Sequence, residues 1–336
     1  MKGRLQIETV ASLVLKGNPL GDPSRREVPV YLPPSYGRRR GVRYPVVYFL
    51  PGFTGGGRTA VNYDPWRENI AQRLDRLIAE GRCRECVLVV PDCFTALGGS
   101  QYLNSSATGR YEDHVVEELV PYFEDKFSLR RGASGRAVMG KSSGGYGALM
   151  LAMRRAGVFA QVACHSGDML FEASYGPDIL KFVAALGPFG GSAGLFARRF
   201  LASRRKDSFE HAGVNLLAMA ACYSPNPRSP LGFDLPFDCR TGELVLKVWA
   251  RWKERDPVLA AVKYRGNLRR LKTLFFDCGT KDEFFLHLGA RKLSDTLRRL
   301  RVPHIYEEHG LGHFDMAERF DRSLRLLTSR FGPDGR

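Results

Sequence analysis

Arg136-Ala137-Val138-Met139-Gly140-Lys141-Ser142-Ser143-Gly144-Gly145-Tyr146-Gly147-Ala148-Leu149-Met150 is the stretch that decides the fold. A short apolar run leads into a serine with glycines two residues away on either side, and a helix-forming run of Ala, Leu and Met follows at once. That is the layout of a G-x-S-x-G nucleophile elbow, where a strand stops, the chain turns sharply and the serine starts a helix. Gly140 and Gly144 leave room where a Cβ would collide with the neighbouring strand and helix. Such a turn lifts the Ser142 hydroxyl clear of the sheet. It also aims the unpaired N–H groups of a helix N-terminus at any negative charge that develops there.

The five-residue pattern needs its context. Glycine fills 36 of 336 positions, and at that frequency the pattern G-x-S-x-G arises by chance about 0.2 times. A second match, Gly190-Gly191-Ser192-Ala193-Gly194, follows Leu186-Gly187-Pro188-Phe189, where glycine and proline break any strand. Ser192 therefore reads as part of a surface turn, and Ser142 as the elbow.

Outward from the elbow the sequence alternates strands and helices. Tyr44–Leu50, Cys86–Val90, Gln161–His165, Leu274–Phe276 and Val302–Tyr306 are apolar runs expected as buried parallel strands. Leu5–Leu15 and Glu27–Leu32 alternate apolar and polar residues and predict an antiparallel pair. Helices are expected from Asp64, as N-cap, to Gly81, over Glu112–Phe127 with a kink at Pro121, over Phe284–Leu300 and over Phe314–Phe331. This rhythm predicts one α/β domain over residues 1–336, a mostly parallel central sheet with helices on both faces. It breaks at about 169–270, read as an inserted lid with helices at Ala193–Arg205 and Val245–Arg255.

Composition excludes several classes. With 44% hydrophobic and 11% aromatic residues, 336 residues can bury a substantial core, so the protein is not disordered. No run of about 18 apolar residues exists, so no membrane partner is predicted. Met1 to Glu8 puts an acidic residue where a signal peptide needs its apolar stretch, which predicts a cytoplasmic protein. Seven cysteines, an odd number, argue against a disulfide framework, and Cys83-Arg84-Glu85-Cys86 is a lone C-x-x-C without a second pair. The net charge of +16 is spread over short clusters such as Arg38-Arg39-Arg40, Arg204-Arg205-Lys206 and Arg298-Arg299. No continuous basic face with interleaved aromatics appears, so the charge reads as a solvated surface with no nucleic-acid site, and it also suits an anionic substrate.

A serine hydroxyl is a weak nucleophile until a base takes its proton, and the base needs a carboxylate to orient it. In α/β hydrolases the acid and then the histidine follow the serine, each on a loop after a strand. Two late loops fit that order, Asp277-Cys278-Gly279-Thr280-Lys281-Asp282-Glu283 and Glu308-His309-Gly310-Leu311-Gly312-His313-Phe314. Asp282, on the loop tip, is preferred as the acid over Asp277 at the strand end and Glu283 at the helix start. It would serve equally well as a helix N-cap. His313, following the small Gly312, is preferred as the base over His309. The backbone N–H groups of Ser143 and Phe53 are the expected oxyanion donors. No His/Cys/Asp cluster has metal-ligand spacing, so neither a metal nor a cofactor is predicted.

Together these residues resemble the esterase family of α/β hydrolases that includes S-formylglutathione hydrolase (esterase D), enterochelin esterases, feruloyl esterases and mycolyltransferases. Val30-Tyr31-Leu32-Pro33-Pro34-Ser35-Tyr36 is similar to its VYLPPxY entry, and Leu50-Pro51-Gly52-Phe53 lies where its LHGxxG oxyanion loop belongs. Tyr111-Glu112-Asp113 through Tyr122 resembles its helix before the elbow, and Gly140 to Ala148 resembles GxSMGGxGA. Cys278 to Asp282 resembles its CGxxD acid loop and Gly312-His313 its GxH ending. The likeness covers most of the sequence outside 169–270 and implies an α/β-hydrolase fold. It also implies a serine esterase acting on a small-molecule ester or thioester, with Ser142 as nucleophile, His313 as base and Asp282 as acid. Acyl transfer through the same intermediate, and a hydrolase fold kept only for binding, are the alternatives. Pro51 stands in place of the family's His, Ser143 in place of Met, and Phe314-Asp315 in place of Asp-Trp. None of these removes a reacting group, and all bear on the pocket. The acyl and alcohol groups and the oligomeric state are not set by the sequence.

Overall fold

The computed structural model describes residues 1–39, 41–204, 206 and 211–332. Arg40 of the first arginine cluster and Arg205, the expected end of a helix, lie outside the described residues.

The strands are β1 (Arg4–Ala11), β2 (Arg25–Leu32), β3 (Val46–Leu50), β4 (Val87–Val89), the small pair β5 (Asn104–Ser105) and β6 (Gly109–Arg110), β7 (Arg136–Lys141), β8 (Gln161–His165), β9 (Thr273–Gly279) and β10 (Ile305–His309). Eight of them form one sheet in the order β1-β2-β4-β3-β7-β8-β9-β10. β2 pairs antiparallel with both β1 and β4. All the remaining neighbours are parallel. The inner parallel strands β3, β4, β8 and β9 are apolar because both faces are covered, and the side-chain period of two sorts their residues into two cores. Val46, Tyr48 and Leu50 of β3 join the larger core. Val47 and Phe49 join the smaller one, beneath Leu74 and Leu77 of α1 (Ile70–Ala79) and Leu324 and Leu327 of α12 (Arg319–Arg330).

The other face carries α2 (Tyr111–Asp113), a π-helical turn (His114–Leu119), α3 (Val120–Lys126) and α4 (Ser143–Arg154). Between β8 and β9 come α5 (Phe171–Ala185), α6 (Ala193–Ala202), α7 (His211–Tyr223), α8 (Leu246–Lys253), α9 (Pro257–Lys263) and α10 (Arg265–Arg269), and α11 (Leu286–Arg299) follows β9. Phe171, Phe182, Trp252 and Val258 of the 169–270 segment are buried in the same core as Cys164 and Phe276 of the sheet. The segment is thus packed onto the sheet through a shared apolar interior.

Several boundaries differ from the sequence reading, the first strand ending at Ala11, not Leu15, and α11 beginning at Leu286, not Phe284. The helix placed at Asp64 begins at Ile70, because Asn69 forms a capping box with Gln72. Asp64 caps only a local turn, accepting from the N–H groups of Trp66 and Arg67. Pro121 does not kink a continuous α-helix. It has no N–H and sits in the first turn of α3, while the turn before it widens so that Val120 N–H donates to the Val115 carbonyl. The last strand is displaced from Val302–Tyr306 to Ile305–His309, pairing from Phe275 onward, since Pro303 has no N–H to give to β9. The terminal helix starts at Arg319, not Phe314, after a short 3-10 turn over Met316–Glu318.

Candidate active site

Ser142 sits between β7 and α4 with φ 56° and ψ −127°. An L-residue in this region costs on the order of 1–3 kcal/mol and persists only where its surroundings impose it. Here the backbone imposes it: Ser142 N–H donates to the His165 carbonyl and its own carbonyl accepts from Tyr146, each at 2.9 Å. A Cβ on Gly144 would lie 1.8 Å from the Leu50 carbonyl oxygen, and one on Gly140 2.4 Å from the Gly144 carbonyl carbon. The ends of β3 and β7 and the start of α4 therefore meet backbone to backbone, which only glycine permits. Ser143 is the first residue of α4, so its N–H is one of the helix's unpaired donors.

The loop after β9 carries Asp282 and the loop after β10 carries His313. His313 Nδ1 lies 2.8 Å from Asp282 Oδ2, and both side chains are buried. Asp282 Oδ1 accepts from the N–H groups of Phe284 at 3.0 Å and Leu286 at 3.4 Å. Burial alone would raise the Asp282 pKa, but the hydrogen bond and charge of His313, with those N–H groups, hold it below the usual carboxylate range. Asp282 thus meets the start of α11 and the histidine together. Glu283 braces the same loop, its Oε2 accepting from His313 N–H at 2.6 Å. Phe284 packs edge-on against the imidazole, 4.9 Å between ring centroids.

Ser142, Ser143, His313, Phe53 and Lys141 line one cavity of about 380 Å³. Gly52 brings the β3 loop beside the serine, for a Cβ on it would lie 3.4 Å from Ser142 Cβ. Among the described residues neither the Ser142 hydroxyl nor Phe53 N–H has a hydrogen-bond partner. The far wall comes from the 169–270 segment, with Ser174 and Asp178 on one face of α5 and His211 and Asn215 on one face of α7. Lys141 is desolvated enough to lower its pKa, against the pull of Asp282, Glu283 and Asp315, and its Nζ lies 5.5 Å from the centre of the Phe314 ring. Asp168 also lines the cavity, and burial pushes its carboxyl up to about 6 although Gln101 donates to it at 3.1 Å.

The other candidates go elsewhere. Asp277 accepts from His165 Nδ1 at 2.6 Å and Arg319 Nε at 2.8 Å, and His165 Nε2 lies 2.8 Å from Ser323 Oγ. This Ser-His-Asp relay is wholly buried, so it braces α12 against the sheet and does not line the cavity beside Ser142. His309 ends β10 opposite Gly279, and neither ring nitrogen has a partner among the described residues. Ser192 caps α6, its Oγ accepting from Leu195 N–H at 3.2 Å. Glu283, Lys141, Asp168 and the pair Gln101-Tyr102 were not legible as site residues beyond Glu283's candidacy as the acid. All seven cysteines are free. Among the described residues no group of three or more His, Cys, Asp or Glu is placed to hold a metal, and no helix is long and apolar enough to cross a membrane.

A family model described as "Putative esterase" matches residues 23–317. The chain belongs to this esterase family. It is 33% identical over 150 residues to Esterase Rv1288 of Mycobacterium tuberculosis, a match covering 44% of this chain and 30% of that protein. The chain therefore matches less than a third of that relative's length. Among solved structures, a ferulic acid esterase aligns with a TM-score of 0.64 at 21% identity, covering 98% of this chain and 99% of that one. An S-formylglutathione hydrolase from Agrobacterium tumefaciens aligns with a TM-score of 0.60 at 16% identity, covering 98% and 96%. The fold of this esterase-family member is the α/β-hydrolase fold, with an antiparallel edge on its otherwise parallel sheet.

Proposed function

We propose that the protein is a serine esterase that hydrolyses a small-molecule carboxylic ester or thioester through an acyl-enzyme on Ser142. The observation that carries this reading is the buried Asp282–His313 pair, whose His313 lines the cavity where Ser142 precedes α4. In the proposed reaction the Ser142 hydroxyl attacks the ester carbonyl while His313 Nε2 takes its proton. Asp282 holds Nδ1–H, fixing the tautomer and stabilising the imidazolium. The carbonyl oxygen becomes an oxyanion held by the N–H groups of Phe53 and Ser143, where one such donor is worth roughly 10²–10³ in rate. Collapse expels the alcohol or thiol with the proton from His313. Water, deprotonated by the same histidine, then releases the carboxylic acid and restores Ser142.

The polar far wall, with Ser174, Asp178, His211 and Asn215, favours a substrate bearing a polar group over a plain long acyl group. On this reading residues 1–336 are one domain, and the 169–270 segment is a cap that closes the cavity. Seven free thiols support a reducing, cytoplasmic setting. The test is turnover of short-chain p-nitrophenyl esters by wild type and Ser142→Ala, with added alcohol to separate hydrolysis from acyl transfer. Turnover lost in Ser142→Ala supports the reading. No turnover by wild type at any acyl length points instead to a hydrolase fold retained for binding.

A further inference from the structure

We propose that Tyr102 is a positioning residue for the oxyanion site, and that Gln101 ties it to the helices between β8 and β9. This rests on the reading of Ser142 as the nucleophile. Gln101 and Tyr102 are consecutive non-glycine residues in the left-handed region, with φ 50° and 54°, and both are buried. Such a conformation survives only where neighbouring contacts over-determine it. The contacts here run in two directions.

Toward the elbow, the Tyr102 ring packs on Gly147 of α4, where a Cβ would come 2.3 Å from Tyr102 Cδ2. Its hydroxyl donates to the Pro51 carbonyl at 2.6 Å. The pairing of β3 with β7 stops at Leu50 and Gly140, so no strand supplies a partner for that carbonyl. The same carbonyl oxygen borders the elbow, 2.7 Å from where a Cβ on Gly144 would stand. That hydroxyl therefore holds the Pro51-Gly52 peptide, and Gly55 N–H, donating to the Gly52 carbonyl at 2.9 Å, holds the next peptide, which carries Phe53 N–H. Tyr102 thus anchors the near end of the segment that aims it. Toward the helices, Gln101 Nε2 donates to the Tyr223 hydroxyl at 2.7 Å and to Asp168 at 3.1 Å. Tyr223 closes α7, whose first turns place His211 and Asn215 on the cavity wall. A ligand that shifts α7 would reach the oxyanion loop through Tyr223, Gln101, Tyr102 and Pro51.

Tyr102→Phe keeps the ring over Gly147 and removes only the hydroxyl. The expected result is a fall in kcat of about tenfold on a p-nitrophenyl ester with KM changed less than about twofold, the mark of an interaction made mainly in the transition state. Affinity for phenylboronic acid, which forms a tetrahedral adduct on serine, falls by the same factor as kcat/KM. The pH midpoint of kcat/KM stays at the wild-type value, because His313 and Asp282 are untouched. Tyr223→Phe, which removes one of the acceptors that hold Gln101, shifts kcat and boronate affinity the same way by about two- to threefold. Rates are normalised to the fraction of enzyme titrated by a fluorophosphonate, so a loss confined to that fraction counts against the proposal. Wild-type kcat and boronate affinity in Tyr102→Phe overturn it and leave Ser142 as the nucleophile. Absence of both turnover and fluorophosphonate labelling in wild type overturns the reading on which it rests.

Discussion

His313 Nδ1 meets Asp282 Oδ2 at 2.8 Å in a contact almost wholly shielded from water. Shielding matters because an imidazolium formed beside a desolvated carboxylate is stabilised far more than one in water. Glu283, the next residue, holds the backbone N–H of the same histidine. The two acids thus hold ring and main chain separately. Asp282→Asn is expected to lower kcat by roughly 10³–10⁴ by favouring the wrong tautomer. Glu283→Ala, which only loosens the loop, is expected to lower kcat by about tenfold. Steady-state kinetics on one ester ranks the two, and a larger effect for Glu283→Ala contradicts the assignment.

Gly144→Ala tests the backbone contact behind the elbow. The added Cβ would lie 1.8 Å from the Leu50 carbonyl oxygen and 2.7 Å from that of Pro51, and neither is free to move. A loss of about 3 kcal/mol or more is expected, the upper end of overpacking penalties. Urea unfolding measures it, and a variant within about 0.5 kcal/mol of wild type would show that β3 and α4 can separate.

Glu118 supplies a pH dependence of stability. Burial would raise its pKa, but hydrogen bonds from His114, Ser12 and the N–H groups of Val14 and Leu13 hold it at about 2. The folded value lies below the ordinary 4.5. Its contribution is therefore full above about pH 5 and lost as pH falls toward 2. Glu118→Gln should melt below wild type at pH 7, with the gap narrowing steadily as pH falls from about 5 toward 2. A gap that stays constant across that range contradicts the linkage.

The sheet and the elbow were legible because each rests on local pattern. β3, β7, β8 and β9 are apolar runs with no competing period, and Ser142 combines its glycines with the flanking strand and helix. That Asp282 and His313 meet was readable from their order along the sequence, since each loop follows a strand. What the sequence hid depends on contacts between distant residues. Ser323 closes a buried relay with His165 and Asp277 that shares the residue types of a triad but does not line the cavity beside Ser142. Tyr102 reads as one more loop aromatic until its hydroxyl is seen on Pro51. β10 and the start of α1 were misplaced because Pro303 delays pairing and Asn69 offers a better cap than Asp64.

Ser192 provides the internal control for the central claim. It shares the G-x-S-x-G pattern but caps α6, so Ser192→Ala should cost about 1 kcal/mol of stability and leave kcat unchanged. The most direct measurement is the site of covalent labelling by a fluorophosphonate, mapped by peptide mass spectrometry on wild type, Ser142→Ala and Ser192→Ala. One adduct on Ser142, retained in Ser192→Ala and abolished in Ser142→Ala, is the predicted result. An adduct on Ser192, or a wild-type protein that hydrolyses esters without any adduct on Ser142, would contradict the assignment of Ser142 as the nucleophile.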